Sequence, residues 1–247
     1  PELQRRVDLA ALRGANQPSL PVLIVTAPTS GDLYLRGQSY DRYTSTGWEM
    51  SSEVADSFDG WGEPQGDVQI RTFALQSVLY LPYYPGTGTV LSGGALKNTG
   101  SILSYSFPKY PYGSAASDQT LEACLALPDS TRAWAAGYPF SGDSTQQIAQ
   151  AIGDFVRQSA TYDKATGAMP EGQDFARWFL ESSETGYCVH FATAATVLLR
   201  AAGIPARYVT GFRCEATAGQ PLVVTTEEAH AWAEYYEPTL GVWLVLE

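Results

Sequence analysis

The sequence predicts an α+β fold in which a β-rich first part precedes a group of helices and a closing set of strands. Three observations indicate this class. Short apolar runs broken by Gly and Pro fill residues 1–142, whereas apolar residues recur at helical spacing between residues 145 and 200. Four strand-like runs then follow one another closely. The 247 residues provide enough chain for one large domain or two small ones.

The strands of the first part are predicted from short runs of apolar and aromatic residues. Residues 68–76 begin with a period-two alternation, which is typical of a half-buried strand. Segment 50–66 is polar and rich in Gly, so we predict a long loop there. The other candidate strands are residues 22–25, 33–37, 40–43, 79–81 and 101–105.

The helices of the second part follow from apolar spacing and from capping residues. Ile148, Ile152 and Phe155 lie on one face of a predicted helix, and Asp174 can cap another. A further helix is expected to begin near Cys188 and to end at Gly203. Two short helices are predicted at residues 121–127 and 129–136, and the closing strands at 207–212, 222–225, 231–237 and 242–246.

Composition excludes several classes of partner and cofactor. With 15 basic and 26 acidic residues, the net charge of −11 disfavours nucleic acid and anionic membrane surfaces. No apolar run reaches the ~18 residues that span a bilayer. The two histidines and three cysteines offer no zinc-type ligand pairs, and no calcium-loop motif is present. We therefore expect neither a metal nor a cofactor.

Cys188 is the first candidate for chemistry, because it opens a predicted helix directly after Gly186 and Tyr187. The helix dipole and the unpaired amides of the first turn favour the thiolate, which is the nucleophilic form. A single cysteine is weak evidence, since buried free cysteines commonly serve packing. A nucleophilic thiol also requires a base and a group that orients the base.

His230 and Glu247 can supply these two groups. His230 lies at the start of a predicted strand, and Glu247 follows the next strand, which can pair with the first. Neighbouring strands bring side chains close enough for a carboxylate to accept the ring N–H. Cys188, His230 and Glu247 are therefore predicted to form a catalytic triad.

Four ordered motifs resemble the transglutaminase-like superfamily over roughly residues 143–247. They are Gly186-Tyr187-Cys188-x-x-Phe191-Ala192, residues 199–212 (LRAAGIPARYVTGF), Ala229-His230-Ala231-Trp232-x-Glu234 and residues 241–247 (GVWLVLE). The resemblance implies a circularly permuted, papain-like fold with a Cys-His-Asp/Glu triad. It implies Cys188 as the nucleophile, His230 as the base, and Glu247 at a position that usually holds Asp.

Residues 34–48 resemble the extracytoplasmic part of bacterial membrane-anchored transglutaminase-like proteins, in which transmembrane helices flank the domain. The resemblance thus implies a β-rich domain, residues 1–142, packed on a papain-like core, residues 143–247. In that core the helix bearing Cys188 lies against an antiparallel sheet. The apolar end at residues 242–246 and the start at Pro1 fit a piece of a longer bacterial membrane protein.

The implied function is thiol-dependent acyl transfer on peptide or glutamine carboxamide bonds through a thioester. Hydrolysis is slightly favoured over cross-linking to an amine. The implied partner is a peptide or protein substrate, for which a cell-wall peptide is one candidate. The alternative is a catalytically inactive ectodomain that binds peptide or cell wall.

Several residues near the predicted triad keep two interpretations each. Tyr187 and Trp232 either line the site or belong to the core, and His190 is either a second base or a packing or substrate-edge residue. Glu234 either lies near the site or forms a buried salt bridge with an arginine such as Arg207. Finally, Cys124 and Cys214 are either a disulfide or two separately buried thiols.

Overall fold

The computed structural model describes residues 4–12, 18–51, 55–86, 89–92, 94–98, 100, 104–114 and 117–247. The strands are β1 (Arg6–Asp8), β2 (Pro21–Thr26), β3 (Gly31–Tyr40), β4 (Arg42–Tyr43), β5 (Gly47–Glu49), β6 (Ala55–Trp61), β7 (Asp67–Thr72), β8 (Thr89–Ser92), β9 (Ser104–Pro108), β10 (Tyr112–Ser114), β11 (Thr161–Tyr162), β12 (Thr185–Gly186), β13 (Ala206–Ala216), β14 (Pro221–Thr225), β15 (Ala229–Glu237) and β16 (Val242–Leu246). The helices are α1 (Asp118–Ala123), α2 (Asp129–Ala135), α3 (Thr145–Ser159), α4 (Phe175–Ser182) and α5 (Cys188–Ala201), with a 3₁₀ turn at Thr226–Glu228.

The central sheet has the strand order β16-β15-β13-β3, and all its neighbours are antiparallel. Strand β3 comes from the β-rich part of the chain and pairs with β13 along nearly its whole length. The register shifts between Thr210 and Gly211, where a side chain on Gly211 would collide with the carbonyl oxygen of Leu35. The predicted division at residues 142 and 143 stays a prediction, but this sheet draws strands from both sides of it.

Helix α5 packs against the central sheet and forms the middle of the largest core. Its small residues Ala192, Ala194 and Ala195 are buried and allow a close approach to β15. Trp48 of β5 enters the same core, where its indole N–H donates to Thr193 Oγ1 at 3.1 Å. Its ring also stacks on Tyr208 of β13 with 5.5 Å between ring centroids. The β-rich part is thus packed into the interior around α5.

A second antiparallel sheet has the strand order β14-β2-β7-β9 and packs against β3 and β13 of the central sheet. Alternate residues of β2 and β7 are buried, and Leu23, Val25, Val68 and Ile70 belong to a second, smaller core. Phe212 of β13 joins this core, so the two sheets are packed together through β13.

In the described part of the chain, no helix has the length and apolar character needed to cross a bilayer.

The α+β class, the helix beginning at Cys188 and the closing strands are confirmed. Asp174 caps α4 as predicted, accepting the Arg177 N–H at 3.1 Å. The loop predicted for segment 50–66 is wrong, because Ala55–Trp61 forms β6, paired with β8 and β10. Residues 79–81 do not form the predicted strand, because only Leu81 among them makes an isolated bridge, to Arg36. Of the strand predicted at 101–105, residues 101–103 lie outside the described residues, and β9 begins at Ser104.

Candidate active site

A cleft of about 1000 Å³ contains the three residues of the predicted triad. Cys188 lies at the first position of α5, His230 lies in β15, and Glu247 directly follows β16. Since β15 and β16 are paired and α5 packs on β15, the fold brings these three residues to one wall.

His230 connects the other two members of the predicted triad. Its Nε2 is hydrogen-bonded to Glu247 Oε1, and its side chain also makes a hydrogen-bonding contact with the Cys188 thiol. Burial lowers the pKa of His230, but the interactions with Cys188 and Glu247 outweigh burial and raise the pKa to about 9. The imidazole is therefore protonated at neutral pH.

Glu247 is held by residues from three elements besides His230. The Tyr34 hydroxyl of β3 donates to its Oε2, and Arg213 Nε of β13 lies 3.6 Å from the same oxygen. Arg157 of α3 donates to the Glu247 backbone carbonyl at 3.0 Å. Burial raises the pKa of Glu247, but the hydrogen bonds from His230 and Tyr34 outweigh burial and bring the pKa below its usual value. The carboxylate is thus ionised and fixed in orientation.

His190 lies behind the first turn of α5 and is only 2% exposed. Its Nδ1 accepts the Tyr187 N–H at 3.3 Å, and its ring packs among those of Phe175, Phe179 and Tyr187. Burial lowers the pKa of His190 to about 4, so the ring is neutral. These contacts match the packing interpretation of His190, and Tyr187, 6% exposed, is buried beside it.

Glu234 forms a buried ion pair behind the cleft wall. Its carboxylate lies 2.9 Å from Arg36 Nε and 2.6 Å from Arg207 Nε. Burial raises the pKa of Glu234, but Arg36 and Arg207 outweigh burial and lower the pKa to about 2. The Tyr83 hydroxyl donates to Glu234 and accepts the Trp232 indole N–H at 2.7 Å. Glu234 is therefore part of a buried salt bridge, and through Tyr83 it also holds the indole of Trp232 in place.

Trp232 is both a core residue and a residue that lines the cleft. It is buried, yet it lines the cleft and its ring lies parallel to that of His230, with 6.3 Å between centroids. Tyr34 meets the Trp232 ring edge-on at 5.2 Å. An aromatic wall therefore stands beside the candidate base.

Sequence reasoning missed several residues of this region. Tyr34 and Arg36 lie two apart on β3, in the segment that carried the family resemblance, but only the pairing of β3 with β13 reveals their partners. Tyr83 sits in no strand and gave no periodic signal. Tyr162 also lines the cleft.

The chain has two cysteines besides Cys188. Cys124 and Cys214 are both free thiols, so they are two separately buried cysteines rather than a disulfide. Burial raises the pKa of Cys214, which lines the cleft, to about 11. Across the residues that the structure describes, no three His, Cys, Asp or Glu side chains are grouped so that they could hold a metal ion.

The fold is shared with a solved structure. The crystal structure of the periplasmic domain of TgpA from Pseudomonas aeruginosa matches 99% of this chain and 93% of that chain, with a TM-score of 0.78 and 23% sequence identity. The helix bearing Cys188 lies against an antiparallel sheet, as the sequence predicts, and the likeness to this solved structure is one of fold.

The sequence comparisons match parts of the chain. Residues 132–247, a little under half of the chain, match the family model described as the Transglutaminase-like superfamily. The uncharacterized protein YebA of Bacillus subtilis is 34% identical over 139 residues, which are 53% of this chain and 19% of YebA. A protein-glutamine gamma-glutamyltransferase of Pseudomonas aeruginosa is 44% identical over 78 residues, 31% of this chain and 12% of that protein. The chain thus spans at most about a fifth of these relatives.

Proposed function

We propose that the protein is a thiol-dependent acyl-transfer enzyme in which Cys188 is the nucleophile, His230 the general acid and base, and Glu247 the group that orients His230. One observation carries this proposal. His230 contacts both the Cys188 thiol and the Glu247 carboxylate inside one cleft, and its pKa is raised to about 9. A protonated imidazole beside a thiol is the arrangement that activates a cysteine nucleophile.

The reaction proceeds in two halves. The Cys188 sulfur attacks a carboxamide carbon, the C–S bond forms, and the C–N bond breaks as His230 gives its proton to the leaving nitrogen. A thioester and a free amine, or ammonia from a glutamine side chain, result. His230 then takes a proton from water or from an incoming amine, which attacks the thioester and releases the Cys188 thiolate.

The substrate we propose is the side-chain amide of a peptide-borne glutamine. The name of the glutamyltransferase relative supports a glutamine acyl donor and an amine acceptor, whereas the sequence resemblance slightly favoured water as acceptor. The two outcomes share the acylation half and differ only in what attacks the thioester. A cleft of about 1000 Å³ is large enough for a peptide segment rather than a side chain alone.

We also propose that the protein works outside the cytoplasm, as a domain of a bacterial membrane protein. The periplasmic origin of the TgpA domain and the resemblance of residues 34–48 support this placement. Its partners would then be peptides of the extracytoplasmic space, including those of the cell wall.

The test is an assay with an N-blocked glutaminyl-glycine peptide, in water and with an added primary amine. Ammonia release measures acylation, and the ratio of glutamate to amide product measures the acceptor. We expect release by the wild type and loss of it in Cys188→Ala and His230→Ala. Cys214→Ala is the matched control, because it removes another thiol that lines the same cleft. No difference between wild type and Cys188→Ala with glutamine and cell-wall peptides would favour the inactive ectodomain.

A further inference from the structure

Tyr83 belongs to no strand or helix of the described chain, yet its hydroxyl connects two residues of β15. The hydroxyl accepts the indole N–H of Trp232 at 2.7 Å and donates to the carboxylate of Glu234. Trp232 and Glu234 are two positions apart, so their side chains leave the same face of the strand. The proton of the hydroxyl is thus committed to Glu234 and one of its lone pairs to Trp232.

Glu234 is a rigid anchor for this hydroxyl. Its carboxylate is fully buried and accepts hydrogen bonds from Arg36 Nε at 2.9 Å and from Arg207 Nε at 2.6 Å. Arg36 belongs to β3 and Arg207 to β13, so two other strands of the central sheet hold the carboxylate. Movement of the carboxylate would break a buried ion pair, which is costly. The Tyr83 hydroxyl therefore has a fixed position.

The indole of Trp232 takes its orientation from this hydroxyl. Its ring lies over Gly211 of β13, where a Cβ atom would come within 2.9 Å of the ring atom Cη2. Apolar contacts of this kind are non-directional, whereas the bond from Nε1 to Tyr83 has a required direction. Because Trp232 is only 1% exposed, loss of the acceptor would leave its N–H buried and unpaired.

Trp232 in turn packs beside the proposed base. His230 and Trp232 lie on the same face of β15, and their rings are 25° from parallel with 6.3 Å between centroids. Tyr34 meets the other side of this arrangement, since its ring contacts Trp232 edge-on at 5.2 Å and its hydroxyl donates to Glu247. Glu247 is the carboxylate that contacts His230 Nε2. A rotated indole would therefore leave the imidazole without its neighbour on one side.

We propose that Tyr83 is a positioning residue for the acyl transfer: by fixing the indole of Trp232, it keeps the imidazole of His230 aligned with Glu247 and Cys188. The inference rests on the proposed function. Tyr83 is not among the residues that line the cleft, so its effect on the reaction passes through Trp232.

The experiment is a double-mutant cycle of wild type, Tyr83→Phe, Trp232→Phe and the double variant. Tyr83→Phe removes only the hydroxyl, and Trp232→Phe removes the N–H that the hydroxyl accepts. Turnover of the glutaminyl-glycine peptide and the pH profile of Cys188 alkylation by iodoacetamide are measured in all four proteins. Urea denaturation establishes that each protein is folded at the start. The alkylation profile reports the alignment of His230 with the thiol, which a mere loss of stability does not move.

We expect kcat/KM of Tyr83→Phe to fall about tenfold, as for a buried donor that loses its partner, with the loss in kcat rather than in KM. The alkylation profile should move to higher pH, because a misaligned imidazolium stabilises the thiolate less. In the Trp232→Phe background, Tyr83→Phe should change either measurement less than about twofold.

Tyr84→Phe is the matched control. Its ring packs on Tyr83, and its hydroxyl donates to the Trp243 carbonyl at 3.0 Å, away from the cleft residues. We expect wild-type turnover and a wild-type alkylation profile in this variant. Should Trp232→Phe not fold, the comparison of Tyr83→Phe with Tyr84→Phe decides alone.

Three results would overturn the inference. The first is wild-type turnover and alkylation in Tyr83→Phe. The second is an equal effect of Tyr83→Phe with and without the indole of Trp232, because Tyr83 would then act by another route. The third is the same shift in Tyr84→Phe, which would indicate a general loosening of the fold.

Failure of the proposed function gives a different pattern. If the wild type turns over no peptide, yet the alkylation profile shifts in Tyr83→Phe and not in Tyr84→Phe, the proposed reaction is wrong and the positioning of His230 stands. If Cys188 of the wild type alkylates like an ordinary thiol, the proposed function and this inference fail together.

Discussion

The Tyr34 hydroxyl donates to the carboxylate of Glu247, although 213 positions of chain separate them. Arg213 approaches the same carboxylate oxygen, and its guanidinium lies 5.7 Å from the centre of the Tyr34 ring. The orienting group of the proposed triad is thus itself oriented from β3. This relationship makes the β-rich part of the chain a component of the site.

Tyr34→Phe should weaken catalysis without unfolding the protein. A hydrogen bond to a charged group contributes about 1.5–3 kcal/mol, so we expect kcat/KM to fall about tenfold or more. Because the Tyr34 bond helps lower the pKa of Glu247, its loss raises that pKa and moves the acid limb of the pH–rate profile upward. Tyr236→Phe is the control, because Tyr236 packs on Trp243 away from the cleft. An unchanged profile in Tyr34→Phe would contradict the positioning role.

The protonation of His230 should make the stability of the folded protein depend on pH. Its pKa is raised from the ordinary 6.5 to about 9, so protonated His230 stabilises the folded state fully below about pH 6.5. This contribution is lost as the pH rises through about 9. Melting temperatures from pH 6 to 10 should therefore fall more steeply for wild type than for His230→Gln or Cys188→Ala. Identical slopes in all three proteins would argue against a charged imidazole beside Cys188.

His230→Ala should also slow alkylation of Cys188. Without the imidazolium, the thiol loses its nearest positive partner, and at pH 7 we expect the iodoacetamide rate to drop at least about tenfold. Peptide mass spectrometry assigns the modified cysteine, and buried Cys124 serves as an internal reference. Equal rates in both proteins would show that the histidine does not activate the thiol.

Glu234→Gln should destabilise the fold strongly. The change leaves the buried guanidinium groups of Arg36 and Arg207 without their shared carboxylate, at an expected cost of about 3–5 kcal/mol in the free energy of unfolding. Urea denaturation measures the cost. Glu181→Gln breaks the exposed pair with Arg177 and should cost far less, because solvent screens that pair. Similar costs for the two variants would be incompatible with a structural role for the buried pair.

His190→Phe tests the support beneath the nucleophile. The phenyl ring can occupy the aromatic surroundings of His190 but cannot accept the Tyr187 N–H, which then stays buried without its partner. We expect a loss of about 1–3 kcal/mol in unfolding free energy together with slower Cys188 alkylation. Full retention of both would mean that this hydrogen bond does not hold the first turn of α5.

Helix α5, the closing strands and the order of the proposed triad residues could be predicted, because each depends on residue patterns that are local in the sequence. Gly203, at φ +80°, follows the end of α5, as its position in the sequence indicates. The alternation of side chains along β15 places His230 and Trp232 on the same face of that strand. Strand β6 could not be predicted, because its pairing with β8 and β10 depends on distant segments.

The contacts of Tyr34 and Tyr83 were hidden for the same reason. Each acts on a residue of another element, and sequence spacing says nothing about which elements meet. Arg200 is a further example, because its buried guanidinium donates to the backbone carbonyls of Asp41, Ala126 and Ala206, which lie in three different parts of the chain.

The pairing of β3 with β13 has a practical consequence for genetics. A mutagenesis library limited to residues 132–247, the region that matches the family, would leave Tyr34 and Arg36 unvaried. Loss-of-function variants at these two positions would then go unsampled, although one contacts Glu247 and the other Glu234. Second-site suppressors of lesions in residues 132–247 should accordingly be sought in the first forty residues of the chain as well, where β3 lies.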